Sequence, residues 1–225
     1  MIYQTLYTLL FLAGFLSLIF LCEFLYKRFN LKAEITRKFA HIISSLFSLI
    51  FLFTFQSFWY VIILGISFFL ILFIGKHFNI FKSIDSVERK TAGSYLLPIS
   101  ICLLFLFSKE NNNNLFFTLP ILVLGISDPL ASIFGTIYRN RTKKIVLFKK
   151  EFDKTYIGSI VFSISTFIIS IVVLNLYSFS GRELVLLSIG ITAVATLIEI
   201  LSSNGIDNIT VPHTVLLILF LIENY

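Results

Sequence analysis

Charge is scarce in this chain. Only 13% of its 225 residues are Asp, Glu, Lys or Arg, against about 25% in ordinary soluble domains. The hydrophobic set makes up 57%, and mean hydropathy is +0.95. A water-soluble globule of this length is thereby excluded. Cysteine is nearly absent too: Cys22 and Cys102 lie far apart in apolar segments without ligand-like spacing. A disulfide scaffold is excluded, and both read as small core hydrophobes. Polar and apolar residues do not alternate, as the strands of a porin-type barrel would require. The first apolar segment lacks a basic stretch before it and an A-x-A-like cleavage site, so it is expected to remain as a helix. No fixed-period repeat or linker divides the chain, and the run Asn111 to Asn114 is too short to be a low-complexity domain. A single integral membrane domain over residues 1–225 is expected.

What the chain has is long apolar runs, near residues 4–22, 39–55, 58–75, 93–107, 115–137, 157–177, 184–201 and 209–222. Each is long enough, or nearly so, to cross about 30 Å of hydrocarbon as helix. The expected fold is an all-α polytopic bundle of seven to eight transmembrane helices, the last marginal in length. Of the 18 basic residues, all but Lys109 and Arg182 fall in the connections after the first, third and fifth runs. The positive-inside rule assigns those connections to the cytoplasm and puts the N-terminus outside. The net charge of +6 then reflects membrane insertion, and nucleic acid is not an expected partner. The expected location is the cell membrane, or the endoplasmic reticulum membrane in a eukaryote.

Five polar clusters gather on the cytoplasmic side. In Arg37-Lys38-Phe39-Ala40-His41, the three polar side chains share a helix face and could grip phosphate together; snorkelling interfacial cations are the plainer reading. The stretch from Glu88 to Pro98 sets Arg89, Lys90, Thr91 and Ser94 beside Gly93, a phosphate-friendly group that also resembles an ordinary helix entrance. Asp128 in the stretch Ser127 to Gly135 stands well inside an apolar run, where an Asp costs roughly 2.5 to 3.5 kcal/mol. An intramembrane acid is by default a functional candidate. Asp128 with Pro129 also suits a helix start, so a helix broken at Ser127 to Pro129 is expected. Lys154 precedes Thr155, Gly158 and Ser159 at another helix entrance, without the glycines before the lysine that a P-loop needs. The rest of that basic loop reads as a topology anchor facing anionic headgroups. Finally, Glu199, Asp207 and Asn208 flank the turn at Asn204 and Gly205, and carboxylates there suit Mg²⁺ ligation or proton abstraction from an alcohol. His77 and His213 read as interfacial.

The succession RK-x-x-H, ERKT-x-G-S-x-x-x-P, SDPLA-x-x-x-G, K-T-x-x-G-S and E-x-x-x-x-x-G-x-DN-x-x-x-P, spanning residues 37–212, resembles the CTP-dependent lipid kinases. That family includes dolichol, phytol and farnesol kinases and the eukaryotic-type diacylglycerol kinase; related bacterial and archaeal chains are often labelled phosphatidate cytidylyltransferase. The resemblance implies a phosphotransferase that moves the γ-phosphoryl of CTP, or less readily ATP, to the hydroxyl of a polyprenol, phytol-like alcohol or diacylglycerol at the cytosolic face. It implies Mg²⁺ or another divalent cation, held by Asp128, Asn208, Asp207 and Glu199. Asp128, Asp207 and Lys154 would be catalytic. Arg37, Lys38, His41, Arg89, Lys90, Thr91, Ser94, Gly158 and Ser159 would bind nucleotide and phosphate. Ser127 replaces a frequent Gly of the family, and Ile157 replaces a common Glu, for which Glu151 or Asp153 could substitute. A cytidylyltransferase uses the same nucleotide and metal and is the nearest competitor. A transporter is the remote one, favoured by a broken fifth helix but lacking an inverted repeat.

Overall fold

The computed structural model describes residues 2–86, 92–147 and 150–223. Helices dominate it. In chain order they are α1 (Ile2–Phe29), α2 (Ala33–Ser48), α3 (Phe51–Thr54), α4 (Phe58–His77), α5 (Lys82–Asp85), α6 (Gly93–Glu110), α7 (Leu115–Leu122), α8 (Asp128–Ile137), α9 (Tyr156–Leu176), α10 (Gly181–Leu201) and α11 (Asp207–Glu223). Among the described residues, seven helical stretches are long and apolar enough to span a membrane, with α2–α3 and α7–α8 each acting as one. The helix α11, with 17 residues, is about 25 Å long, a little short of the hydrocarbon thickness, as its sequence suggested. This is a polytopic helical membrane bundle.

Helix ends follow local chemistry. Asn30, Asn79, Asn112 and Asn204 adopt positive φ between helices; Asn tolerates this region because its short amide can hydrogen-bond locally. The lipid-facing surfaces follow composition. On α9, Ile160, Ile164, Ile168 and Val172 recur every four residues and are more than half exposed, while Ser159, Phe162, Thr166 and Ser170 on the opposite face are buried. Small and hydroxylated residues allow close helix approach where lipid tails leave no hydrophobic drive for association.

Two features depart from expectation. The helix through Asp128 is not broken. A single stretch runs from Leu115 to Ile137, widened to a π turn at Val123–Ser127. Pro129 has no N–H to give the Gly125 carbonyl and its ring crowds that oxygen; the wider turn relieves the crowding without ending the helix. Gly125 also sits where a Cβ would collide with Ser45, so α2 packs directly against the π turn. No free helix N-terminus is therefore presented at Asp128. The second departure is a hairpin in the basic loop, β1 (Lys144–Leu147) antiparallel to β2 (Lys150–Thr155), which carries the chain back to the start of α9.

The core is aromatic at the end of the bundle away from the polar clusters. The Phe51 ring lies 4.8 Å from Phe11, 5.3 Å from Phe55 and 6.1 Å from Phe105, centroid to centroid. The tilted and edge-on geometries suit ring quadrupoles. Both cysteines are unpaired; Cys102 Sγ lies 3.3 Å from the Val61 carbonyl, against Gly65 of α4.

Candidate active site

Residues from five separate parts of the sequence meet at one end of the bundle. Lys38, on the inward face of α2, reaches Asp128 at the head of α8, with Nζ 2.7 Å from Oδ2. Lys154, leaving β2, lies 2.7 Å from Glu199 Oε1 on α10 and 2.8 Å from Asp207 Oδ2 at the start of α11. The Ser159 hydroxyl donates to the other Glu199 oxygen at 3.1 Å. Asn208 donates through Nδ2 to the Gly93 carbonyl at 2.7 Å, and the backbone N–H of Ala92 donates to the Asn204 carbonyl at 2.9 Å. The start of α6 and the turn before α11 are thus tied together.

Lys38, Asp128, Glu199 and Asp207 are buried, and the Lys154 side chain is only 14% exposed. A charge in low dielectric persists only when paired and hydrogen-bonded, and the alternation of lysine and carboxylate meets that demand. Burial would push Lys154 down, but the carboxylates of Asp207, Glu199 and Asp128 outweigh it and hold the ammonium well above the ordinary lysine range. A raised lysine pKa contributes stability below the unfolded value, and the contribution is lost only as pH rises through the folded value. Lys154 is therefore a fixed cation throughout the neutral range.

Of the residues expected to bind phosphate, Arg37 is directed at Glu34, with Nη2 2.9 and 3.0 Å from its two oxygens. The Ser132 hydroxyl also donates to Glu34, at 3.3 Å. His41 is buried, and its Nε2 has no hydrogen-bond partner among the described residues. Arg37, Lys38, His41, Ser94, Asp207 and Asn208 line one cavity. Gly158 sits where α9 crosses α8: a Cβ there would stand 3.0 Å from the Ala131 carbonyl and 3.0 Å from Thr155 Oγ1. Thr155 meanwhile caps α9 by accepting from the Gly158 N–H. The structure thus gives Gly158 a packing role. Gly158→Ala is expected to cost about 1–3 kcal/mol in unfolding measured in detergent, whereas Gly190→Ala, with nothing within 4 Å, is expected to be silent. Arg89, Lys90 and Thr91 lie outside the described residues, as does Glu88.

Among the four expected metal ligands, Glu199 is set apart because both its oxygens are committed, to Lys154 and Ser159. Asp128 and Asp207 each keep Oδ1 outside these pairs, and the Asn208 amide spends only its Nδ2 on Gly93, so that its oxygen stands outside that bond. Two carboxylates and one amide oxygen are hard ligands of the kind Mg²⁺ takes together with substrate phosphates. No cluster of three His, Cys, Asp or Glu side chains stands ready to hold a metal among the described residues, so the phosphates would complete the shell. With that complement the residues fit a divalent cation. Neither substitute for the Glu missing at Ile157 is in place: Glu151 pairs with Lys144 at 2.7 Å on the exposed hairpin, and Asp153 is exposed.

Sequence reasoning missed two acids. Glu34 orients Arg37. Glu23 on α1 accepts from the Ser83 N–H at 2.9 Å, which together with Thr36 donating to the Ser83 carbonyl at 2.5 Å clamps α5 to α1 and α2. The signal was available for Glu23, an acid beside an apolar run like Asp128.

Beyond the polar groups the same cavity continues between α1, α2, α4 and α6, lined by Leu97, Leu64, Phe68, Phe15, Val61 and Phe51. One end is charged and the other is purely apolar.

The chain is 29% identical over 202 residues to a phytol kinase of Synechocystis sp., an alignment covering 89% of this chain and 84% of that protein. No family model and no solved structure matches the chain. That similarity covers most of both chains and, with the bundle of apolar helices, supports both the resemblance to CTP-dependent lipid kinases read from the motifs and a membrane phosphotransferase with an alcohol acceptor.

Proposed function

We propose that the chain transfers the γ-phosphoryl of CTP, or less readily ATP, to the hydroxyl of a lipid alcohol at the cytoplasmic face of its membrane. The observation that carries the reading is the continuity of the cavity. A lipid alcohol is a polar head on a long apolar tail, and the cavity joins Asp207, Asn208, Lys38 and His41 to an apolar shaft. The name of the Synechocystis relative points the same way.

Phosphoryl transfer asks the protein mainly to position reactants and neutralise charge. An ammonium has three donors; Lys38 spends one on Asp128 and Lys154 spends two on Glu199 and Asp207, leaving donors on both for phosphate oxygens. Arg37, Arg89, Lys90, Thr91 and Ser94 would supply further contacts. Asp207 would accept the hydrogen bond of the attacking hydroxyl and take its proton. His41 would offer its unpartnered Nε2 to the acceptor or the phosphate. A divalent cation held by Asp128, Asp207 and Asn208 would neutralise charge on the transferring group. The apolar shaft would hold the tail and keep water from the phosphoryl group.

Purified protein in detergent with Mg²⁺ should place label from γ-labelled CTP on a prenol or diacylglycerol as a monophosphate, with ATP a poorer donor. In sealed vesicles only nucleotide on the cytoplasmic side should serve. Absence of lipid label from either donor, with solute flux across the vesicle instead, would replace this reading with transport.

A further inference from the structure

The end of the cavity away from the charged groups is lined by aromatic rings. Phe51 lines it and is about 1% exposed, and its ring is held from behind by Phe11, Phe55 and Phe105 at 4.8, 5.3 and 6.1 Å. Phe15, 6.3 Å from Phe51, narrows the same end. Such an edge-to-face cluster yields little, because packed interiors resist deformation. The side wall is fixed as well: Cys102 of α6 abuts Gly65 and the Val61 carbonyl of α4. Along that wall, from Leu72 near the polar mouth to Val61 beside the plug, α4 rises about 16 Å. That is about half the ~30 Å hydrocarbon thickness, so a tail lying in the shaft ends well inside the bundle.

We propose that Phe51 gauges the acceptor's tail, so that the preferred acceptor is a single-chain isoprenoid alcohol of a few units rather than a long polyprenol or a two-chain diacylglycerol. The inference rests on the lipid alcohol kinase reading above. Leu64 lines the shaft one helical turn nearer the mouth than Val61. A larger side chain there raises the floor, and a smaller one at Phe51 lowers it.

The test is phosphorylation of a homologous series, geraniol, farnesol, geranylgeraniol and a long polyprenol, with diacylglycerol alongside, by the parent protein, Phe51→Leu and Leu64→Phe in the same detergent. The parent should lose about tenfold or more in kcat/KM for the first alcohol too long for the shaft, since an overfilled hydrophobic pocket discriminates on that scale. Phe51→Leu should move that step to a longer alcohol and Leu64→Phe to a shorter one. Identical length profiles in all three proteins, or uniform loss at every length in a variant that elutes as a folded monodisperse particle, overturn the gauge and leave the kinase reading standing. If Phe51→Leu aggregates, Leu64→Phe decides alone. Label on no alcohol and no diacylglycerol with the parent protein removes the kinase reading itself.

Discussion

Asp128→Ala is expected to lower lipid phosphorylation by at least about 100-fold, the scale on which removing one fixed electrostatic group acts in a buried site, and to destabilise the protein by about 3–5 kcal/mol. The second effect arises because Lys38, 7% exposed at its side chain, is left as an unpaired buried cation. The two effects separate in a double variant. Replacing a buried pair with apolar residues of similar volume is often neutral or stabilising, so Lys38→Met with Asp128→Leu should recover thermal stability in detergent and remain inactive. Recovery of activity along with stability would mean that the pair only holds α2 to α8. Asn at position 128 keeps the shape but not the charge, and is expected to lie with the inactive variants.

Lys154→Met is the second large change. It leaves Glu199 and Asp207 facing a common void without their shared cation. A stability loss of about 3–5 kcal/mol is again expected, with transfer falling at least about 100-fold. Adding Glu199→Gln should return part of the stability, because one uncompensated charge is removed and the Ser159 hydroxyl can still donate to the amide oxygen. It should not return activity. Glu199→Gln alone should cost far less activity than Asp207→Asn, since Glu199 has both oxygens occupied while Asp207 keeps one for the acceptor. Equal losses in those two variants would remove the distinction between a partner that positions Lys154 and a residue that touches substrate. Through neutral and mildly alkaline pH the activity should show no fall assignable to Lys154, whose carboxylate neighbours keep it charged beyond the ordinary lysine range.

Much of the architecture was legible because a membrane makes hydrophobic length informative. The runs read near 58–75 and 184–201 appear as α4 and α10 with small changes at their ends, and Asn204 and Gly205 adopt positive φ in the turn read from them. The chain around Asp128 was misjudged because Pro129 after Asp fits a helix start as well as a π turn within a longer helix. What decides between them is the packing of Ser45 against Gly125, a contact distant in sequence. The hairpin was hidden because Lys-rich loops carry no alternation to read. At the site, residue types were legible but partners were not. Lys38 and Asp128 are separated by 90 positions, and Lys154 and Asp207 by 53, so no local pattern links them. Lys38 and Lys154 therefore read as cations waiting for phosphate, when each is first a counter-ion for a buried acid. The apolar shaft was invisible for a related reason: its walls come from α1, α2, α4 and α6, each of which presents equally apolar residues to lipid.

The central claim concerns which phosphorus is attacked. CTP labelled at the α position and CTP labelled at the γ position, each given with Mg²⁺ to the purified protein and a mixture of prenols, diacylglycerol and phosphatidate, with Asp128→Ala as blank, answers it in one experiment. Lipid labelled from the γ position alone is the predicted result. Lipid labelled from the α position, with pyrophosphate released, would contradict it and make the chain a cytidylyltransferase.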